Sequence, residues 1–182
     1  VYSEILTSGK NWSKTLIPFG LKGTNKCVLE VSAIPNINLT GSIDYLLSYP
    51  HGCVEQITSI AFPQLYLENL VSLSKSEKER SSRNIKSAIK RLSSFMTSSG
   101  ALSYWPGQSY HDDYGSVYAA HFLTEAEKKG FEVSASITSR LKSYLVKSSN
   151  EWSKSANRSD LIQAYRLYVL ALMKSPESGA MN

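Results

Sequence analysis

The spacing of apolar residues changes near residue 40, which divides the chain into two parts. Before that point, residues 15–19 and 26–33 alternate or run apolar with β-branched side chains, and residues 22–25 (KGTN) separate the two runs. This order predicts a strand, a turn and a second strand. We therefore expect a short β segment over residues 1–38 and a second, helical part over residues 39–182.

From residue 42 onward, apolar residues recur at intervals of three and four, which is the helical period. The predicted helices are a short one that Pro50 ends, one from Cys53 to about residue 73, and others over about 85–96, 114–129, 134–145 and 161–174. Pro63 lies inside the second of these helices and predicts a kink or break. Gly100 and Gly130 stand where a glycine commonly ends a helix.

The predicted helices alternate in character along the chain. Those that begin at Cys53, Tyr114 and Leu161 are rich in apolar, small and aromatic residues, whereas the intervening ones are amphipathic and charged. Buried inner helices alternating with outer ones predict a mainly α fold, a partial α/α toroid of helical hairpins that we expect to be incomplete at its C-terminal end. If the inner helices are parallel, Cys53, the loop at residues 110–113 and the loop before Leu161 share one face.

Charge and cysteine content narrow the possible functions. The net charge of +5 is concentrated in residues 75–91, where no aromatic residue is interleaved and Glu77 and Glu79 dilute the positive field. This pattern indicates a solvated outer helix rather than a nucleic-acid surface. The two cysteines form no disulfide framework, and Cys27, in its β-type run, is expected to be a small buried residue. No apolar run has the roughly 20 residues that a membrane span needs.

The octet at residues 49–56, YPHGCVEQ, contains the groups from which a reactive bond could form. Cys53 and Gln56 stand three positions apart, so a helical turn places both side chains on one face. The thiolate can then attack the side-chain amide carbon and release ammonia, which leaves a cyclic thioester. Gly52 allows a tight turn into the helix, Pro50 makes the approach rigid, and Glu55 suits the positive end of the helix dipole.

A thioester is an activated acyl group that hydrolyses unless it is kept dry. Three aromatic residues are available to shield it, namely Tyr49, Tyr104 and Trp105. Other roles for the cysteine fit less well. A buried cysteine is usually a small apolar core residue, a thiol nucleophile needs a partnered histidine, and His51 is only two residues upstream. Cys27, His51 and Cys53 have no recognised zinc-ligand spacing, so no metal or other cofactor is expected.

The octet resembles the thioester domain of the α2-macroglobulin and complement family, whose pattern is GC-x-EQ. Bacterial macroglobulins have YP-x-GC-[L/V]-EQ, and YPHGCVEQITSIAFPQLYL is similar to that version. Further pieces of the domain resemble SSGALSYWPGQ, YGSVYAAHFLTEAEKKGFEV and AYRLYVLAL, so the resemblance covers most of the chain. It implies that Cys53 and Gln56 are the thioester pair, that the helical part is an α/α toroid, and that the β segment ends a preceding sheet domain.

The resemblance also implies a function. A protease that cleaves elsewhere in the parent protein would free the thioester, and Gln56 would become bonded to a protease lysine. Such an inhibitor is consumed once and is not an enzyme. The implied parent is a periplasmic or cell-surface bacterial protein, and the implied partners are proteases and its own other domains, without contact of this segment with nucleic acid or membrane.

One departure from the family pattern concerns a histidine that complement-type members use to speed transfer to hydroxyls. The corresponding loop, residues 147–160, has no histidine and offers Asn150 and Asn157 instead, which implies a slower thioester that prefers amines. His111 is a competing candidate, although an exposed loop histidine is the commoner case. His121 lies on a predicted helix and is expected to be packed or solvated.

Two alternatives from other classes stay open at this point. The first is a toroidal enzyme or carbohydrate-binding module with a structural Cys53, for which Asp112, Asp113 and Glu151 are the available carboxylates. The spacing of these carboxylates in the sequence matches no glycosidase signature. The second is a macroglobulin-like adhesion module that has lost the reactive bond.

Overall fold

The structure is a computed structural model that describes residues 4–25, 27, 29, 31, 43–153 and 160–181. Internal contacts divide the chain into two units, Val1–Ile37 and Asn38–Asn182. The α-helices of the described residues are α1 (Ile43–Leu46), α2 (Val54–Gln64), α3 (Leu67–Leu70), α4 (Lys75–Leu92), α5 (Asp113–Lys128), α6 (Ala135–Asn150) and α7 (Asp160–Leu172). Two 3₁₀ turns, Ser93–Phe95 and Ser178–Met181, complete the regular structure of these residues. The fold is mainly α, as the sequence predicts.

Among the described residues of the first unit, the predicted turn is present, but no strand is found. The backbone N–H of Thr24 donates to the carbonyl of Leu21 at 3.2 Å, and the Asn25 amide bonds both the N–H and the C=O of Phe19, at 3.2 and 2.9 Å. Residues 15–19 are not in a strand.

The second predicted strand, residues 26–33, lies largely outside the described residues. Its described members, Cys27, Leu29 and Val31, are not in a strand. Cys27 is exposed, so the expectation that it is a buried core residue was wrong. The assignment of this unit to the end of a sheet domain stays a prediction.

The break predicted at Pro63 is found two residues after it, between α2 and α3. Pro63 lies in the last turn of α2, and the backbone N–H groups of Leu65 and Tyr66 donate to the carbonyls of Phe62 and Pro63 at 3.1 and 3.0 Å. These i→i−3 bonds tighten the chain into a turn, which is a common way for an α-helix to end. A new helical segment then begins at Leu67.

Helix α4 begins and ends at different residues from those predicted. It begins at Lys75, ten residues earlier than the apolar spacing alone indicates, and it ends at Leu92. Gly100 therefore does not cap a helix. It lies in a turn with a φ of +88°, and a Cβ at this position would stand 2.8 Å from the carbonyl oxygen of Arg140, so close packing against α6 excludes a side chain there.

Helices α2, α5 and α7 run parallel to one another. Along α2 and α5, the contacts advance together in both helices, from Phe62 with Phe122 (ring centroids 5.8 Å apart) to Tyr66 with Glu125. Along α5 and α7 they advance from Tyr114 with Tyr165 (6.3 Å) to His121 with Tyr168 (5.5 Å). The N-termini of the three helices therefore point the same way, which is the condition that the sequence analysis set for a shared face.

Helices α4 and α6 return antiparallel beside the parallel helices. In α4, Ser81 donates to the carbonyl of Gln64 at the end of α2, whereas in α6 Tyr144 donates to Asp113 at the start of α5. The core between the helices includes the fully buried side chains of Phe95 and Phe122. Helical hairpins with a shared core are the arrangement expected of part of an α/α toroid.

Candidate functional site

The backbone turns sharply into α2 at Gly52. This residue has a φ of +101°, which side-chain-bearing residues rarely adopt, and Cys53 follows as the extended N-cap with φ −73° and ψ 173°. A Cβ on Gly52 would lie 2.0 Å from Oε1 of Gln56. Glycine is thus required both by the backbone conformation and by the space that the Gln56 side chain occupies. Pro50, two residues earlier, is buried.

Cys53 and Gln56 form a reciprocal capping arrangement at the start of α2. The backbone N–H of Cys53 donates to Oε1 of Gln56 at 3.1 Å, and the Cys53 side chain faces the backbone N–H of Gln56. The glutamine carboxamide is therefore folded back toward the cysteine. Cys53 is only 2% exposed, whereas Gln56 is an exposed residue, so the sulfur is buried and the carboxamide is accessible.

Tyr104, from the loop that precedes α5, contacts this helix start. Its carbonyl accepts the backbone N–H of Val54 at 3.1 Å. A hydrogen bond with the Cys53 side chain raises the pKa of Tyr104 to about 12, with further contributions from the charge of Cys53, from burial and from the carboxylates of Glu55 and Asp112. The ring of Trp105 packs edge-on against that of Tyr104 at 5.8 Å and is 46% exposed. Tyr104 and Trp105 thus lie beside the predicted pair.

Tyr49, the third predicted shielding residue, contacts a different helix. Its hydroxyl lies 2.7 Å from that of Ser87 in α4, and the residue is 53% exposed. Asn150 ends α6, where its amide donates to the carbonyl of Val146 and to Glu177. Asn157 lies outside the described residues.

His111 is placed next to Asp113 and Tyr144. Its Nε2 is 3.8 Å from Oδ1 of Asp113, and its ring packs edge-on against that of Tyr144 at 5.3 Å. His121, in contrast, is half-buried in α5, where its Nδ1 is 2.9 Å from the Tyr165 hydroxyl. Burial is the main cause that lowers the pKa of His121. It is a packed residue, as expected.

Asp113 is the centre of a polar network that the sequence interpretation missed. Tyr144 of α6 donates to its Oδ1, and Nη2 of Arg166 in α7 lies 3.8 Å from its Oδ2. Arg166 is 3% exposed and also donates to Oε1 of Gln163 at 2.6 Å. An arginine in a helix that is otherwise apolar nearly all round was the available signal. The network joins α6 and α7 to the start of α5.

The carboxylates considered for an enzyme are occupied by structural contacts. Asp112 caps α5, since its Oδ1 accepts the backbone N–H of Gly115 at 2.6 Å, and Asp113 belongs to the network above. Glu151 lies 3.8 Å from Nζ of Lys147. Each of the three carboxylates that the sequence offered for an enzyme therefore has a contact within the helical part of the chain.

The starts of α2 and α5 lie against each other, as the shared-face argument predicts. A Cβ on Gly115 would stand 2.4 Å from Cγ1 of Val54, so only a glycine permits this approach. Part of the loop before α7 is outside the described residues. Among the described residues, no group of three or more potential ligands could hold a metal ion, and no helix is long and apolar enough to cross a membrane.

Comparison with known proteins relates this arrangement to a family. A family model described as the A-macroglobulin TED domain matches residues 28–165. The chain is 29% identical over 153 residues to an α2-macroglobulin of Rickettsia conorii and 31% identical over 143 residues to that of Escherichia coli (strain K12). These matches cover 80% and 72% of the chain, which spans only 8% of the length of each relative.

Solved structures show the same likeness. Salmonella α2-macroglobulin reacted with methylamine is similar with a TM-score of 0.66 at 26% identity, over 81% of this chain and 10% of that one. Native Escherichia coli α2-macroglobulin, spanning domain MG7 to the C-terminus, is similar with a TM-score of 0.65 at 25% identity, over 81% of this chain and 25% of that one.

Proposed function

Because the chain belongs to the A-macroglobulin TED domain family, we propose that Cys53 and Gln56 condense into an internal thioester through which the parent protein captures attacking proteases. The observation that best supports this proposal is the folded-back Gln56 side chain, whose Oε1 accepts the N–H of Cys53 at 3.1 Å. A reaction between two groups held in this way does not pay the entropy of bringing them together.

The chemistry has two steps. The Cys53 thiolate first attacks the amide carbon of Gln56, the C–N bond breaks, and ammonia leaves with the thiol proton. A lysine amine of the protease later attacks the same carbon, the C–S bond breaks, and an amide links Gln56 to the protease while the thiol is restored. Each domain reacts once, so the protein is an inhibitor and not an enzyme.

An amine is the expected nucleophile. In the described residues, the structure gives His111 contacts with Asp113 and Tyr144, and no contact with Cys53 or Gln56 is found for it. Asn150 is bonded to its own helix and to Glu177. These contacts with other residues support an amine rather than a hydroxyl as the nucleophile. The Salmonella relative with the similar fold was solved after reaction with methylamine, which is itself an amine.

In this proposal, two parts of the parent protein shield the thioester from water. Tyr104 and Trp105 lie beside the pair within the chain, while the exposed side of Gln56 is covered by other domains of the parent until a protease cleaves it. A site of this kind has to meet proteases outside the cytoplasm, which places the parent in the periplasm or at the cell surface.

Mass spectrometry of the full-length polypeptide that carries this chain tests the proposal. The tryptic peptide over residues 27–75 contains both groups, and a closed thioester lowers its mass by about 17 Da relative to the sequence. Methylamine is expected to add once at Gln56 and to release one thiol, which iodoacetamide labels after unfolding. Because Cys53 is buried, labelling without unfolding would miss it.

Cys53→Ala is the matched control, since it keeps a small residue at the helix start and removes the thiol. Incubation with trypsin is expected to give a covalent trypsin adduct of the wild type and none of Cys53→Ala. A peptide at its full sequence mass in the freshly purified, folded protein, together with no trypsin adduct, would show that the proposal is wrong.

A further inference from the structure

The backbone N–H of Cys53 donates to the oxygen of the carboxamide that is proposed to react. The bond to Oε1 of Gln56 is 3.1 Å long, within the range of about 2.7–3.1 Å for donors of an oxyanion hole. As the N-cap, Cys53 contributes only its carbonyl to the helix, where it accepts the N–H of Ile57 at 3.0 Å. Donation by the Cys53 N–H to Gln56 therefore competes with no hydrogen bond of the helix.

The residues on both sides of Cys53 hold this N–H in place. Before it, Gly52 has a φ of +101°, and a Cβ there would lie 2.0 Å from Oε1 of Gln56, so the missing side chain leaves room for the oxygen. After it, Val54 is fully buried, and its own N–H donates to the carbonyl of Tyr104 at 3.1 Å. A donor that is already oriented can stabilise a new charge without first reorganising.

The strength of this hydrogen bond depends on the charge of the oxygen. In an amide or a thioester, the oxygen belongs to a neutral carbonyl group. When a nucleophile adds to the carbon, an electron pair of the C=O bond moves to the oxygen, which becomes an anion. A hydrogen bond to a charged acceptor is roughly twice as strong as one to a neutral acceptor. The N–H of Cys53 therefore stabilises the transition state more than the ground state, which is the condition for catalysis.

We propose that the backbone N–H of Cys53 is the oxyanion donor for both reactions of the Gln56 acyl group. This inference rests on the proposed thioester. In closure, the thiolate adds to the carbon and the oxygen becomes negative. The C=O bond then re-forms as the C–N bond breaks, and the ammonia that leaves takes up the thiol proton. In aminolysis, the amine adds to the same carbon, the C–S bond breaks with its electron pair going to sulfur, and the amine proton reaches the sulfur through solvent. The N–H keeps its hydrogen throughout.

A role in helix capping alone predicts a different result when this N–H is removed. Incorporation of mercaptolactic acid in place of Cys53 turns the amide between residues 52 and 53 into an ester, which deletes the donor and keeps every side chain. If the N–H only caps α2, the ester lowers stability and leaves the rate of methylamine addition unchanged. Loss of an oxyanion donor is expected to slow the addition by roughly a hundredfold, the lower end of the range for one such donor.

An ester between Cys53 and Val54 is the matched control, because it deletes the next N–H along the chain, which donates to Tyr104 and not to the reacting oxygen. Both esters and the wild type are compared as full-length polypeptides. Urea unfolding measures their stabilities, and peptide mass follows closure and methylamine addition in time. We expect both esters to unfold more easily and only the first to close and react slowly. Equal rates in the two esters would overturn the inference while leaving the thioester itself established.

A second measurement needs no change to the backbone. Because Oε1 of Gln56 accepts the Cys53 N–H, that hydrogen is expected to exchange with deuterium roughly tenfold faster in Gln56→Ala than in the wild type, as for loss of one hydrogen bond. The Val54 N–H, bonded to Tyr104, is the internal reference and is expected to exchange alike in both. Equal exchange of the Cys53 N–H in both proteins would overturn the donor role. A wild-type peptide at full sequence mass would instead reject the thioester and, with it, the reactions that this N–H is proposed to assist.

Discussion

Helices α2 and α4 begin with the same backbone device, a capping box, but with different chemical groups. At α4, Ser74 and Glu77 bond each other's backbone N–H groups, at 2.6 Å to the glutamate and 3.4 Å to the serine. At α2, Cys53 and Gln56 occupy the equivalent positions, and the N–H of Cys53 donates to Gln56 at 3.1 Å. The first is the usual Ser-x-x-Glu box, whereas the second replaces hydroxyl and carboxylate with thiol and carboxamide.

The two boxes share a backbone geometry and differ in the chemical groups of their side chains, so the effect of each can be considered separately. Both boxes bring the two side chains of an i, i+3 pair to the same helix start. A serine hydroxyl and a carboxylate do not condense with each other, because the hydroxyl is a weak nucleophile and the carboxylate a poor electrophile. The α2 box also differs in burial, since Cys53 is 2% exposed and Ser74 is exposed. In the proposed function, a common capping geometry becomes reactive through two residue types and a buried position.

Cys53→Ser is expected to have the largest effect, because it replaces the thiol of the α2 box with the hydroxyl that the α4 box contains. Loss of the thioester and of protease capture is expected to be complete. Stability is expected to change by only about 1 kcal/mol, since serine is a good N-cap residue. Peptide mass and urea unfolding measure the two quantities. A serine variant that unfolds several kcal/mol more easily would show that the α2 start depends on more than its capping geometry.

Gly52→Ala is expected to have the next largest effect. Its φ of +101° costs an alanine roughly 1–2 kcal/mol. The added Cβ would also displace Oε1 of Gln56, 2.0 Å away, from its place against Cys53. Because the glutamine end is flexible, the displacement costs little stability but separates the reacting groups.

Gly107→Ala is the matched control for that variant. Gly107 has a φ of +79° with nothing within 4 Å of the position of a Cβ. Both variants are expected to lose similar stability in urea unfolding, while only Gly52→Ala fails to lose the mass of ammonia. Thioester closure in Gly52→Ala would show that the space beside Gln56 is not what glycine provides.

Local features of the fold followed from the sequence because their causes are local. Each of these causes acts over a few neighbouring residues: the 3.6-residue period, the missing N–H of Pro63 and the positive φ at Gly130. The proximity of Cys53 and Gln56 at a helix start has the same origin. The mainly α fold was also predicted, because alternating buried and amphipathic helices have few compact arrangements.

Features that depend on contacts between residues distant in the sequence were not predicted. The carbonyl of Tyr104 accepts the backbone N–H of Val54 from about 50 positions away in the sequence, and no periodicity predicts this contact. Asp113 meets Arg166 from another helix, although an arginine in an apolar helix was a usable sign of a buried partner. The start of α4 was missed because its first two turns are polar, and the Ser74–Glu77 box was the better signal.

Ser74→Ala sharpens the comparison from the α4 side. Removal of an N-cap hydroxyl is expected to lower stability by about 1 kcal/mol. Ser98→Ala, in an exposed turn, is the control and is expected to have almost no effect. Thioester formation is expected to be unchanged in both. A loss of the thioester in Ser74→Ala would mean that the two helix starts are coupled through the fold rather than independent.

The smallest expected difference between the two boxes is in how their stability depends on acid pH. The pKa of Glu77 is lowered from its ordinary value of 4.5, mainly by the hydrogen bond with the Ser74 side chain, then by that with the Ser74 backbone and by Arg80. A carboxyl whose pKa is lower in the folded state contributes stability above its unfolded pKa, and this contribution is lost as the pH falls through the folded value. Gln56 does not titrate, so the α2 box has no such dependence.

The expected result is that hydrogen-exchange protection in the first turn of α4 falls between pH 5 and pH 3, roughly the range in which a carboxyl protonates, while that at the start of α2 is unchanged. Glu77→Gln is the control, because it makes the α4 box resemble the uncharged α2 box and is expected to remove the acid effect. Equal loss of protection at both helix starts would show that acid unfolds the domain as a whole. The difference between the boxes would then reside in reactivity alone, since the charge of Glu77 would make no separate contribution to its helix.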